Sequence, residues 1–217
     1  MTEVKKVTIL QKLEKCGVIA VVRGNTDVQA IKASEAIIEG GITGIELTFT
    51  VPNAEGAIKD LIEKYQKDPS VVVGAGTVLD ATTARIAIMA GAQFIVSPSF
   101  DIETAKLCNL YQIPYLPGCM TVTEMKEALE YGADIVKLFP GSAFGSSMIR
   151  AFKAPLPQLN IMPTGGVNLE NMEKWFKAGA VAVGIGGNLL APLKDENYPL
   201  ITEISQEYIK RLNEIRG

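Results

Sequence analysis

Residues 121–140 read TVTEMKEALEYGADIVKLFP, and this stretch decides the fold. Thr121-Val122-Thr123-Glu124 resembles a capping box, in which a hydroxyl and a carboxylate three residues apart satisfy the free amides at a helix start. Apolar positions at helical spacing predict an amphipathic helix over Thr123–Tyr131. Gly132 fits the left-handed position that ends a helix. Asp134–Phe139 then forms a short apolar run of strand-forming residues, interrupted by one lysine. These twenty residues are therefore one helix and the strand that follows it.

The same signature recurs along the chain. Gly41-Ile42-Thr43-Gly44-Ile45, Gly91-Ala92-Gln93-Phe94-Ile95 and Gly179-Ala180-Val181-Ala182-Val183 repeat Gly132-Ala133-Asp134-Ile135-Val136 at intervals of 50, 41 and 47 residues, about two strand–helix units each. They mark strands two, four, six and eight. The full set of strand-like runs is Val18–Val22, Gly44–Phe49, Val71–Gly74, Phe94–Ser97, Pro114–Pro117, Asp134–Phe139, Ile161–Thr164 and Ala180–Gly184. Amphipathic stretches such as Asp27–Ile38, Ala54–Tyr65 and Leu169–Lys177 separate them. Alternating strands and helices imply a parallel sheet, and continuous apolar strands imply burial on both faces. Eight units predict a closed (β/α)8 TIM barrel. Residues 1–15, with Val4, Val7, Leu10 and Leu13 at helical spacing, predict an extra N-terminal helix closing the barrel bottom, and Leu200–Ile215 the last helix. No Pro-, Gly- or Ser-rich linker divides the chain, so 1–217 is expected to be one domain.

Composition narrows the function. The chain has 217 residues, 47% hydrophobic and 21% charged, with a formal charge of −3 and no basic cluster, which disfavours nucleic acid and membrane surfaces as partners. No apolar run approaches the roughly 18 residues of a membrane span, and Met1-Thr2-Glu3-Val4-Lys5-Lys6 has charges where a signal peptide needs an apolar stretch. Cys16, Cys108 and Cys119 are odd in number and far apart, forming neither a disulfide framework nor a metal-binding pair. A cytoplasmic protein is expected. Histidine is absent, which removes Ser-His-Asp and Cys-His mechanisms and HExxH zinc sites. Acid–base chemistry must use Lys, Glu, Asp, Tyr, Cys or water.

Active sites of such barrels lie at the C-terminal ends of the strands. In the strand bodies of that half, only Glu46 and Lys137 are ionisable, with Arg23 just beyond strand one; Asp134 opens strand six at the opposite, solvated end. Alternation puts Glu46 and Thr48 on one face of strand two. The greasy face (Ile45, Leu47, Phe49) belongs against helices, so Glu46 points into the barrel. Ile135, Lys137 and Phe139 share a face of strand six. Buried ion pairs seldom stabilise more than apolar packing does, and buried ionisable clusters concentrate at functional sites. A lysine so placed fits a Schiff-base nucleophile. An amine attacks a carbonyl only when neutral; burial favours that form, whereas a neighbouring carboxylate opposes it.

Glycines carry a phosphate signal. Strand seven ends in Pro163-Thr164-Gly165-Gly166-Val167 and strand eight in Gly184-Ile185-Gly186-Gly187-Asn188. Loops after strands seven and eight commonly bind phosphate through exposed backbone amides. Gly74-Ala75-Gly76-Thr77 is a third glycine-rich end. It lacks the helix and acidic residue of a dinucleotide fingerprint, and its small residues are expected to leave room for substrate near Lys137, with the Thr77 hydroxyl as donor. Trp175 and Phe176 read as core or interface, Cys119 and Met120 as an apolar pocket lining at most.

Together these residues resemble the 2-keto-3-deoxy-6-phosphogluconate (KDPG) aldolase family, which also acts on 4-hydroxy-2-oxoglutarate. The resemblance runs end to end through Gly44-Ile45-Glu46-Leu47-Thr48, Gly74-Ala75-Gly76-Thr77-Val78, Phe94-Ile95-Val96-Ser97-Pro98, Tyr115-Leu116-Pro117-Gly118, Val136-Lys137-Leu138-Phe139-Pro140 and Pro163-Thr164-Gly165-Gly166. It implies that Lys137 forms the imine and Glu46 transfers protons. Thr77 and Pro98 would line the pyruvate pocket, Thr164 would contact substrate, and the pairs Gly165-Gly166 and Gly186-Gly187 would take the phosphate. It further implies a homotrimer without metal or cofactor. Two departures stand out. Thr50 occupies a position where many members carry a carboxylate-binding arginine, for which Arg23 is a replacement, and Asn188 stands where a serine often ends the phosphate loop. The implied reaction is class I aldol cleavage of KDPG to pyruvate and glyceraldehyde 3-phosphate. The galactonate epimer and 4-hydroxy-2-oxoglutarate are alternative substrates. An isomerase or synthase using Lys137 as an electrostatic clamp and a non-catalytic sugar-phosphate sensor are the rivals in kind.

Overall fold

The computed structural model describes residues 3–217, and within them the alternating pattern closes into a (β/α)8 barrel. The strands are β1 (Val18–Val22), β2 (Gly44–Thr48), β3 (Val72–Gly76), β4 (Ile95–Val96), β5 (Tyr115–Leu116, resumed at Gly118–Cys119), β6 (Val136–Leu138), β7 (Ile161–Pro163) and β8 (Val183–Ile185). All described pairings are parallel. Hydrogen bonding divides the wall into two sections. One runs β5-β4-β3-β2-β1-β8, the other from the second half of β5 through β6 to β7. Pro117 sits at the first junction; it has no N–H to donate, and each half of β5 pairs with a different neighbour. The other junction is a single bridge, Thr164 to Gly184, beside the bond from Val181 N–H to the Ile161 carbonyl.

Side-chain alternation sorts the wall into an inner and an outer face. Ile19, Val72, Phe94, Val96, Leu116, Ile135, Met162 and Ala182 fill the barrel's lower interior against Ile9 and Leu13 of α1 (Lys5–Cys16). The alternate strand positions, including Val18, Ala20, Ile45, Leu47, Val73, Val136, Leu138 and Val183, pack outward on the helices. The plug helix was expected on Val4, Val7, Leu10 and Leu13. The face it buries is Ile9 and Leu13, with Leu10 partly covered, while Val4 and Val7 are exposed. Helical spacing admits either stripe, and the one in contact with the barrel's interior cluster is buried. Met1 and Thr2, the start of that expected stretch, lie outside the described residues.

The helices of the outer ring are α2 (Asp27–Glu39), α3 (Ala54–Tyr65), α4 (Ala81–Met89), α5 (Ile102–Leu110), α6 (Val122–Glu130), α7 (Ser147–Lys153), α8 (Met172–Ala178) and α9 (Tyr198–Arg216). Side chains stop competing chain directions at their starts. Thr26, Asp80 and Asp101 each accept an amide hydrogen bond at an N-cap, and Thr121 with Glu124 forms the reciprocal capping box. Each such cap stabilises its helix by about 1 kcal/mol. Gly41, Gly91, Gly132 and Gly179 have φ of 98°, 101°, 84° and 106°, the left-handed turns their spacing implied. Trp175 is core. Arg216 donates to the Lys15 and Glu14 carbonyls at 2.6 and 2.7 Å, tying the end of α9 to the end of α1. Among the described residues no helix is long and apolar enough to cross a membrane.

Candidate active site

Lys137 lies on the inner face of β6, two residues above Ile135 of the interior cluster, with Val136 and Leu138 facing out. Glu46 occupies the inner face of β2. The two meet across the barrel: Lys137 Nζ donates to Glu46 Oε1 at 3.2 Å, with Lys137 5% exposed and Glu46 fully buried. Lys137 Nζ also stands 5.2 Å from the centroid of the Phe139 ring, which shares its face of the strand. The pair satisfies only part of its polar capacity. Glu46 Oε2 has no hydrogen-bond partner, and neither has the buried Thr164 hydroxyl at the top of β7. Unpaired buried oxygens are uncommon and costly. One on the inner face of β2 and one just past β7, they are free to meet a polar ligand.

Glycines shape this space. A Cβ on Gly76 would collide with the Glu46 carboxylate, and one on Gly74 would meet the Phe94 ring. The small residues of β3 were expected to leave room for substrate; Glu46 and Phe94 take that room. Gly184 similarly has no space for a Cβ beneath the Thr164 hydroxyl. Thr77, next after Gly76, has φ of 55°. A β-branched residue there is a genuine outlier, of the kind that clusters at functional sites.

The Pro98 loop is fixed from behind by groups whose role the sequence did not disclose. The Tyr115 hydroxyl lies 2.7 Å from Ser97 Oγ and accepts from Asp101 N–H at 3.2 Å, while Ser97 Oγ donates to the Ser99 carbonyl. Gly118 passes so close that a Cβ would overlap the Pro98 carbonyl. The glycine after Pro117 was the one signal available. Cys119 does not line the site: it packs outward, and burial pushes its thiol up to about 12, so it is not a thiolate nucleophile at neutral pH. Met120 is exposed.

The remaining expected residues gather at the barrel mouth. Gly165 and Gly166 have φ of 89° and 77°, and Gly166 packs where a Cβ would strike Ser142 in the loop after β6, so close packing accounts for part of this pair. Arg23 is exposed and lines a cavity of about 400 Å³ with Gly186 and Gly187. Thr50 is exposed and its hydroxyl lies 2.7 Å from that of Thr48, which donates to the Val22 carbonyl. Asp134 is at the opposite end, where it pairs with Lys6 at 2.9 Å.

Comparison with known proteins gives this arrangement its context. The model of the aldolase family described as KDPG and KHG aldolase matches residues 9–204. The chain belongs to the KDPG and KHG aldolase family. It is accordingly a carbon–carbon lyase. It is 35% identical to the 2-dehydro-3-deoxy-6-phosphogalactonate aldolase of Escherichia coli strain K12, over 83% of this chain and 87% of that protein. It is 34% identical to the 2-dehydro-3-deoxy-phosphogluconate aldolase of Treponema pallidum strain Nichols, over 94% of this chain and 97% of that one. Among solved structures, the KDPG aldolase of Legionella pneumophila, with pyruvate captured at low pH as a covalent carbinolamine, superposes with a TM-score of 0.82 at 31% identity, covering 94% and 97% of the two chains.

Proposed function

We propose that this lyase is a class I aldolase that cleaves 2-keto-3-deoxy-6-phosphogluconate through an imine on Lys137. The observation that carries this reading is the buried Lys137–Glu46 pair at 3.2 Å with one carboxylate oxygen left open. The covalent carbinolamine in the Legionella relative supports it. Neutral Lys137 attacks the C2 ketone, and Glu46, directly or through a water, returns protons as the carbinolamine loses water to form the iminium. That cation accepts the electron pair of the C3–C4 bond when the C4 hydroxyl gives up its proton. Glyceraldehyde 3-phosphate leaves; the enamine is protonated at C3 and hydrolysed to pyruvate, regenerating the amine. Thr77 and Pro98 flank the pyruvyl half, and Thr164, Gly165, Gly166, Gly186 and Gly187 hold the phosphate. Arg23 is proposed to replace the arginine that Thr50 lacks.

A second substrate, the galactonate epimer, is favoured by the 35% identity to an aldolase of that name. The two sugar acids and 4-hydroxy-2-oxoglutarate should be compared by kcat/KM, with borohydride reduction in the presence of pyruvate and peptide mass mapping alongside. The expected result is a preference for a phosphorylated acid and one pyruvyl adduct on Lys137. Preference for the unphosphorylated acid would overturn the phosphate assignment, and an unlabelled Lys137 would end the imine mechanism.

Assembly as a cytoplasmic homotrimer belongs to the same proposal. Ile86 and Met89 on α4 and Leu110 and Tyr111 at the end of α5 are exposed, and the Arg85 guanidinium stacked 4.3 Å over the Tyr111 ring joins the two groups into one patch. Apolar patches of this kind are covered in oligomers. Light scattering should give three times the 23.3 kDa chain mass; a monomer at micromolar concentration would refute it.

A further inference from the structure

The cavity at the barrel mouth between β1 and β8 extends the site beyond the lysine. Its lining includes Val21, Arg23, Gln29, Gly186, Gly187 and Lys194, and its volume is about 400 Å³. Val21 is the register partner of Glu46, so the cavity begins one strand away from the proposed reacting centre. Space above Gly187 is open. Two cations face this space. Arg23 enters no ion pair among the described residues, and Lys194 has only Asp195 at 3.9 Å, with both side chains over 70% exposed. A contact that long and that solvated contributes little.

A lysine on a surface turn is ordinarily just a solvated charge, but this turn is held in place. Lys194 lies in the 3-10 segment Ala191–Asp195, whose Pro192 and Leu193 are buried. Two residues later Glu196 accepts a hydrogen bond from Gln29 Nε2 at 2.9 Å, bracing the segment against α2. The backbone of Lys194 is thereby fixed, and its side chain lines the same cavity as Gly186 and Gly187. That turn ends in Asn188 and offers amides without the hydroxyl of a serine.

We propose that Lys194 is a specificity-determining residue: on the cavity it lines with Gly186 and Gly187, its ammonium binds the substrate's phosphate dianion and sets the preference for phosphorylated over unphosphorylated acids. The assignment rests on the phosphorylated-substrate reading above. A phosphate monoester carries between one and two negative charges at neutral pH, which a cation beside the turn's amides offsets while Arg23 remains for the carboxylate.

The test is the ratio of kcat/KM for KDPG to that for 4-hydroxy-2-oxoglutarate, measured for the wild type, Lys194→Gln and Lys194→Arg. Lys194→Gln should lower the ratio about tenfold, the scale of one charge-assisted hydrogen bond, through KM for KDPG rather than kcat. Lys194→Arg should restore most of it, and added salt should narrow the difference. Inorganic phosphate, as a competitive inhibitor of cleavage of the unphosphorylated acid, should bind about tenfold more weakly to Lys194→Gln. An unchanged ratio in Lys194→Gln, or equal losses on both acids, would overturn the assignment of Lys194 alone. A wild type that prefers the unphosphorylated acid, yet loses phosphate inhibition in Lys194→Gln, would instead overturn the substrate reading and keep the cation site.

Discussion

Lys137→Arg is expected to leave the barrel folded and cut aldol cleavage about 10⁴-fold or more, the scale seen when a covalent nucleophile is removed. Arginine keeps a positive charge opposite Glu46, so the buried carboxylate retains a partner and the penalty of a lone buried charge is avoided. A guanidinium does not deprotonate in proteins and cannot form the imine. Folding and chemistry thereby separate. Steady-state cleavage, the circular dichroism melt and borohydride trapping with pyruvate are the three measurements. Near-native melting with no cleavage and no adduct is the predicted combination. Residual cleavage within tenfold of the wild type would make Lys137 an electrostatic clamp and end the imine mechanism.

Glu46→Gln should lower kcat by about 10²- to 10⁴-fold, the range for loss of a positioned general acid–base, while the pyruvyl adduct on Lys137 still forms on long incubation. Glutamine is nearly isosteric, so it fits the space that Gly76 leaves. It cannot carry a proton between the carbinolamine, the C4 hydroxyl and C3. Exchange of the pyruvate methyl hydrogens with deuterated water reads the enamine step directly and should slow in proportion to cleavage. If exchange kept its wild-type rate while cleavage fell, Glu46 would serve only the C3–C4 bond. Full activity in both assays would remove it from the mechanism.

Much of this architecture was legible because period-two alternation is strict wherever both strand faces are buried. Val18–Val22 coincides with the observed β1, and the inward direction of Glu46 followed from the greasy residues beside it, whereas alternation put Lys137 on one face with Ile135 and Phe139 without forcing which way that face points. The glycine turns were legible because a left-handed turn leaves few residue types to choose from. What stayed hidden depends on contacts between distant segments. β5 looks continuous until its two halves are seen to pair with different neighbours. Cys119 sits at a strand end, and nothing local says that it turns away from the barrel axis. Gly76 reads as room for a ligand, because the side chain that fills the room belongs to the neighbouring strand. Lys194 lies beyond the last strand, and only the fold of the 3-10 segment brings it to the cavity lined by the turn that precedes it.

The division of the wall into two hydrogen-bonded sections has a mechanical consequence. Glu46 is carried by the six-stranded section and Lys137 by the other, so the carboxylate and the amine ride on separate rafts. Reacting groups must be held within about 0.5 Å of their working geometry. That tolerance is met across two junctions: Pro117, where β5 changes neighbours, and the Thr164–Gly184 bridge with the Val181-to-Ile161 bond beside it. The distance from Nζ to Oε1 is thus a caliper reading of barrel closure.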